Sequence, residues 1–211
     1  VGYFPAGDGA IGLYSVDVSG HGVSSALLTA RIASYFNSGD PGRNIALERC
    51  REGYRMLPPG EVCGRLNALL NQDRESDLYL TMALAGLCSE TGDVSLCVAG
   101  HPSPVIQRGN GALEFLETSG MPVGLVDVAE YETIEARLNT GDRMLIYSDG
   151  VTECPEPEGQ LFDEQGLLAL MDTHSRTRGP DMLAALVKGL EHFAGCSEFP
   201  DDLSAVLVEQ R

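Results

Sequence analysis

Residues Ser15-Val-Asp-Val-Ser-Gly-His-Gly22 organise the reading of the chain. The apolar run 11–16 ends at Asp17. Ser19, Gly20 and Gly22 follow, and glycine tolerates tight or left-handed backbone. Residues 23–36 then read as a mostly apolar helix. A carboxylate at a strand end, on a glycine-rich bend into a helix, suits either a metal ion or a phosphate group. Both readings stand at this point.

Working outward, Gly7-Asp-Gly9 is a turn signal between two apolar runs, which predicts a hairpin of strands 1–5 and 10–16. The helix 23–36 is apolar at Val23, Ala26, Leu27, Leu28, Ala30, Ile32, Ala33 and Phe36, and its narrow polar face predicts a largely buried helix. Residues 37–58 are the least regular, with a short helix expected at 44–54. Pro59 suits a first helical turn, and Val62, Leu66, Leu69 and Leu70 continue at helical spacing to about Asp73. Strand patterns follow at 78–88, 94–98, 105–107, 112–116, 129–138 and 143–147, the last with a wholly apolar centre. Residues 151–162 form an acidic, proline-containing loop. Helices are expected at 163–171 and 180–193, and a closing strand at 203–208. Hairpin-joined strands with helices grouped in blocks argue an α+β fold with mostly antiparallel sheet and helices on the outside.

The chain has 211 residues, 43% of them hydrophobic, enough for one globular domain with a sizeable core. It carries 14 Lys and Arg against 31 Asp and Glu, a net charge of −17. Such a surface repels phosphate backbones, which excludes nucleic acid as a natural partner. No run reaches the roughly 18 apolar residues of a membrane span. The six cysteines (Cys50, Cys63, Cys88, Cys97, Cys154, Cys196) contain no Cys-x-x-Cys pair and so no zinc spacing. Cys88 and Cys97 flank a hairpin turn and are placed to face each other. The preferred reading is buried free thiols in a reducing cytoplasm.

Three acidic positions share one kind of place. Asp17 and Asp149 each end a strand and precede or approach glycine, and Asp201-Asp202 stand just before a strand. In an antiparallel sheet the end of one strand and the start of its neighbour lie on one edge. Carboxylates gathered on such an edge repel one another unless a cation joins them. An all-oxygen donor set suits Mg²⁺ or Mn²⁺.

The segments Asp17-Val-Ser-Gly-His-Gly22, Ala99-Gly-His-Pro-Ser-Pro104, Gly120-Met-Pro-Val-Gly-Leu125, 141–153 (Gly-Asp-Arg-Met-Leu-Ile-Tyr-Ser-Asp-Gly-Val-Thr-Glu) and Asp201-Asp-Leu-Ser204 together resemble the metal-dependent protein phosphatase (PPM, protein phosphatase 2C-like) family. The likeness is to the bacterial branch related to stage II sporulation protein E, and the segments occur in family order over nearly the whole chain. The resemblance implies an α-β-β-α sandwich of two mostly antiparallel sheets flanked by helices, forming one phosphatase domain over 1–211. It implies hydrolysis of phosphoserine or phosphothreonine on a protein by a metal-activated water, with two Mn²⁺ or Mg²⁺ ions. It assigns Asp17 as the bridging ligand, the backbone oxygen of Val18 as its neighbour, Asp149 to one metal and Asp201 to the other. Asp202 and Gly150 stand immediately behind these ligands. His21 either donates to phosphate or a bound water, or braces the glycine loop; His101 fixes a turn.

In that branch a Gly-Asp pair precedes the first strand and supplies a further acid. Here the chain opens at Val1 and Asp8 lies in the hairpin turn, so the expectation is an N-terminally shortened domain, cut from a longer protein with a receiver or sensor domain ahead of it. The implied partner is a phosphorylated protein, such as an anti-sigma-factor antagonist in partner-switching control. Two readings of other classes compete: a non-catalytic adaptor on the same fold, and a nucleotide-phosphate cradle at Ser19 to Gly22. The second lacks a Gly-x-x-x-x-Gly-Lys-[Ser/Thr] sequence.

Overall fold

The computed structural model describes residues 1–7, 9–37, 41–51, 53–72 and 78–211. The turn residue Asp8 and the expected helix end at Asp73 lie outside the described residues. Along the chain, β1 (Gly2–Gly7) and β2 (Ala10–Val18) lead into α1 (Val23–Phe36). A hairpin, β3 (Leu47–Cys50) and β4 (Gly53–Met56), precedes α2 (Pro59–Gln72). Then come β5 (Leu80–Cys88), β6 (Asp93–Ala99), β7 (Val105–Gln107), β8 (Leu113–Phe115), β9 (Ile134–Arg137) and β10 (Arg143–Tyr147). The short α3 (Asp149–Thr152), then α4 (Asp163–Thr173), α5 (Pro180–Ala194) and β11 (Ala205–Glu209) complete the chain. Two compact units result, Val1–Ser103 with Glu117–Arg137, and Pro104–Leu116 with Leu138–Arg211.

The first unit is built on an antiparallel sheet in the order β1-β2-β5-β6-β9. β2 and β5 pair over nine residues, from Ala10 opposite Cys88 to Val18 opposite Leu80. This register holds Asp17 inside the strand, opposite Thr81, because β2 runs two residues past the expected end at Val16. Period-2 alternation turns Leu80, Met82 and Leu84 into one core cluster with Val62, Cys63 and Leu66 of α2. Phe36 stacks on Tyr14 and Phe4, with ring centroids 4.6 and 5.6 Å apart. Cys97 meets Cys63 rather than Cys88. The hydrogen bond between the two thiols, with burial, pushes Cys63 up. All six cysteines are free, but against the expectation of buried thiols only Cys63, Cys97 and Cys154 are buried, while Cys50 and Cys88 are half-buried and Cys196 is exposed.

Three expectations change here. α1 is largely exposed: only Ser25, Leu28, Ile32 and Phe36 are buried, while Val23 and Leu27 are 77% and 67% exposed. Its apolar composition exceeds what one helical stripe can bury against a sheet. The segment expected as a helix over 44–54 is the β3–β4 hairpin, in which Gly53 takes φ 137°, a conformation closed to a helix. The strand expected over 129–138 forms only from Ile134. Just before it, the Thr133 hydroxyl accepts the Gly60 N–H at 2.8 Å, so this stretch packs on the start of α2 instead of pairing.

The second unit carries the sheet β11-β10-β7-β8, also antiparallel. β10 lies between β11 and β7, and all five of its side chains are fully buried, including Arg143. Val105, Leu145 and Tyr147 share a core with Leu167 and Met171 of α4 and with Met182, Leu186 and Leu190 of α5. α5 starts on Pro180 and stops at Gly195, whose φ of 67° provides a left-handed cap. The first two residues of the loop expected over 151–162 belong to the helical turn α3.

Asp142, 3% exposed, ties two turns of this unit together. Its carboxylate accepts from Arg108 Nη1 (2.8 Å), Gly109 N (2.8 Å) and Asn139 N (2.9 Å). Burial pushes this carboxyl up, but the Arg108 guanidinium and the two backbone donors outweigh burial and hold it below the usual range. Its stabilisation is therefore complete above the ordinary carboxylate pKa and is lost as pH falls through the lower, folded-state value. Asp142→Asn should cost about 2 kcal/mol near neutral pH, a charged hydrogen bond's worth. Urea denaturation should show the gap to wild type shrinking in acid.

Candidate active site

In the first unit, the glycine loop after Asp17 is pinned by a reciprocal pair. Ser19 N donates to Tyr79 O at 2.9 Å, and Tyr79 N donates to Ser19 Oγ at 3.0 Å. Gly20 and Gly22 adopt φ values of 78° and 92°, which L side chains rarely take, so the loop can turn sharply into α1. His21 stands exposed between them, Asp17 is half-buried and Val18 is buried.

Two further motif segments close around the start of β5. His101 is buried, and its Nδ1 lies 2.9 Å from the hydroxyl of Thr81, the residue opposite Asp17. Leu80 and Val123 exchange both backbone hydrogen bonds, at 2.9 and 2.8 Å. Asn67 of α2 accepts the Gly124 N–H at 2.7 Å and donates to Val126 O at 3.0 Å. Within this unit, segments far apart in sequence thus meet at Leu80 and Thr81, beside the strand that carries Asp17. His101, expected to fix a turn, makes this contact with a strand residue of β5.

In the second unit, Asp149 and the Asp201-Asp202 pair come to one end of the β10–β11 pairing, where Tyr147 faces Ala205. Ser148 is the knot. Its backbone N donates to Ser204 O at 2.9 Å, its hydroxyl donates to Asp202 O at 3.1 Å, and the same hydroxyl accepts the Ser204 N–H at 2.9 Å. Gly150 lies against the same segment: a Cβ there would stand 2.7 Å from Asp202 O. Asp201 Oδ1 accepts the Asp202 N–H at 2.7 Å.

Asp149 Oδ1 is buried and has no hydrogen-bond partner among the described residues. A carboxylate oxygen withdrawn from water without a partner is costly, and a cation would relieve that cost. The carboxylate oxygens of Asp149 and Asp201, both in the second unit, are of the kind that suits a hard divalent ion. Among the described residues, no group of three or more His, Cys, Asp or Glu side chains is arranged to hold a metal. Asp17 lies in the first unit, and Asp149 and Asp201 lie in the second.

Residues 7–211 match the family described as Stage II sporulation protein E (SpoIIE). The chain belongs to this family. Among curated relatives of this SpoIIE-family chain, the phosphoserine phosphatase RsbP of Bacillus subtilis (strain 168) is 25% identical over 212 residues, covering 99% of the chain and 48% of RsbP. The chain therefore spans about half the length of that relative. Of solved structures, the SiaA-PP2C domain of Pseudomonas aeruginosa superposes with a TM-score of 0.72 at 21% identity, covering 98% of this chain and 78% of that one. RsbX in complex with magnesium gives a TM-score of 0.61 at 14% identity, over 98% of this chain and 84% of that one. The SpoIIE-family chain thus has the mixed α/β, antiparallel-sheet fold of PP2C phosphatase domains.

Sequence reasoning did not single out Ser148, Thr81 or Asn67. Ser148 had a signal, a hydroxyl residue at a strand-to-helix junction directly before Asp149. Thr81 and Asn67 had none, because their partners lie 20 and 57 residues away. Gly150→Ala forces a methyl group against the Asp202 carbonyl and should destabilise the protein by about 1–3 kcal/mol. Chemical denaturation would measure it, and a variant as stable as wild type would contradict the close approach.

Proposed function

We propose that both units form one phosphatase domain, a divalent-metal-dependent protein serine/threonine phosphatase acting in bacterial signalling. The observation that carries this is the buried, unpartnered oxygen of Asp149. It stands at a strand end beside the Asp201-Asp202 segment, in a chain of the SpoIIE family. Asp17, the backbone oxygen of Val18, Asp149 and Asp201 are the proposed holders of two Mn²⁺ or Mg²⁺ ions. Such ions supply an acidified water and positive charge opposite the phosphoryl oxygens.

The chain's own residues prepare that chemistry. Ser19 holds the glycine loop against the start of β5, fixing where the backbone leaves Asp17. Ser148 locks the backbone on both sides of the Asp149 edge, so its carboxylate needs little reorganisation during reaction. His21, exposed on the glycine loop, is the proposed donor to a phosphate oxygen or a metal-bound water. Gly150 keeps the approach of Asp202 open.

The proposed substrate is a phosphorylated regulatory protein, an anti-sigma-factor antagonist being the type suggested by the family resemblance. A reducing cytoplasm is the proposed location, supported by six free thiols. Among the described residues no helix is long and apolar enough to cross a membrane.

With Mn²⁺ the protein should hydrolyse p-nitrophenyl phosphate and a phosphoserine peptide. Asp149→Asn and Asp17→Asn should each lower kcat by roughly 10²–10³-fold, the scale of losing a preorganised charge contact. Calorimetric titration with Mn²⁺ should show weakened binding in both. Unchanged turnover and unchanged Mn²⁺ binding in Asp149→Asn would refute the assignment.

A further inference from the structure

The second unit contains a cleft of about 430 Å³ lined by Arg108, Arg143, Arg176 and Arg178. Three turns meet there: the β7–β8 hairpin loop, the turn before β10 and the α4–α5 connection. The other lining residues are glycine, Ser175, Asn110 and Gln107, so neither a carboxylate nor an apolar side chain lines it. The chain has only 14 Lys and Arg against a net charge of −17, so four arginines on one cleft run against the rest of the surface.

Arg143 forms the floor. It is fully buried, and its Nε donates to Gln107 Oε1 at 2.7 Å. Its Nη2 donates to His174 O at 3.0 Å and its Nη1 to Thr177 O. These are neutral acceptors; among the described residues no carboxylate lies within 4.0 Å of its guanidinium. A buried charge neutralised only by dipoles keeps an outward field, because the low dielectric screens it poorly. Burial, and then the Arg178 charge, push this guanidinium's pKa down, while Glu209 opposes them.

The rim adds reach. Arg176 is exposed and has neither ion pair nor hydrogen bond among the described residues. Arg178 donates to Gly141 O at 3.2 Å and stands 3.9 Å from Glu209, which Arg211 and Gly179 N also engage. The Ser175 hydroxyl has no partner among the described residues. Arg108 is different: Asp142 and Glu114 neutralise it, so it shapes the cleft rather than charging it.

We propose that this cleft binds a phosphate group, free or esterified, through Arg176, Arg178 and Ser175 over the charged floor of Arg143. Planar guanidinium forks match phosphate oxygens in pairs. With no aromatic or aliphatic side chain in its lining, the polar, cationic cleft favours a compact oxyanion over an apolar group. The site is separate from the Asp149 edge: Arg143 opens the five-residue strand β10, and Asp149 follows its other end, beyond Tyr147 and Ser148, at roughly 3.3 Å per strand residue.

The test is calorimetric titration and thermal shift of the full chain in EDTA, at constant ionic strength set with chloride. Inorganic phosphate and O-phosphoserine are titrated separately; the tighter of the two identifies the free or the esterified group as occupant. Wild type should bind at least one of them saturably, and Arg176→Ala/Arg178→Ala should bind it about tenfold or more weakly, as expected for lost charge-assisted contacts. Arg176→Lys/Arg178→Lys, which keeps charge but not the fork, should fall between them. Asp149→Asn should bind as wild type does. The proposal is overturned if neither anion binds saturably, if the double alanine variant binds like wild type, or if Asp149→Asn alone removes binding.

Discussion

The second unit depends on burying β10. A strand with no exposed side chain must satisfy its backbone through neighbours on both edges, and β11 and β7 do so. Both strand ends are thereby fixed. At one end the chain must leave through Ser148, whose hydroxyl and backbone tie it to residues 202–204. At the other end Arg143 must be buried with the strand that carries it. Its guanidinium finds Gln107 and two carbonyl oxygens of the α4–α5 connection. A single packing requirement therefore sets the position of a candidate metal-ligating carboxylate and of an unneutralised positive charge.

In the first unit the equivalent constraint is the nine-residue register of β2 on β5. A slip of one residue would turn Asp17 to the opposite face of the sheet, along with every core side chain of the strand. The motif segments guard against this. The Ser19–Tyr79 pair, the Leu80–Val123 bridge and the Thr81–His101 contact all grip the same few residues at the start of β5. Their polar groups read as scattered in sequence, yet most serve as fasteners for the backbone beside Asp17, and few are free to meet a substrate.

Charge is distributed with similar economy. The chain is strongly acidic overall, which suits a protein whose proposed reaction centre is a set of carboxylates needing cations. Against this background the arginines of the second unit are concentrated where three turns meet. Some are neutralised, as Arg108 is by Asp142 and Glu114. Arg143 is held by neutral acceptors alone among the described residues.

Local pattern was sufficient for most elements. Residues 23–36 read as a helix because their period is 3.6, Pro59 marked a helix start, and the apolar centre of 143–147 marked a buried strand; all three stand. The pairing of Asp149 with the Asp201-Asp202 segment on one edge also followed from strand order, since antiparallel neighbours share edges. Other features depended on partners distant in the chain. The burial of α1 was misjudged because composition does not tell which stripe meets a sheet. The loss of strand at 129–133 came from Thr133 bonding to Gly60, 73 residues away. The β3–β4 hairpin replaced a helix through the backbone of one glycine. Sequence by itself determined the elements, the acidic character and the family's carboxylates, because periodicity and residue chemistry are local. Tertiary structure alone decided that Ser148 is a knot, that Thr81 faces Asp17, and that four arginines share a cleft, because hydrogen bonds and fields act across space between residues the chain keeps apart.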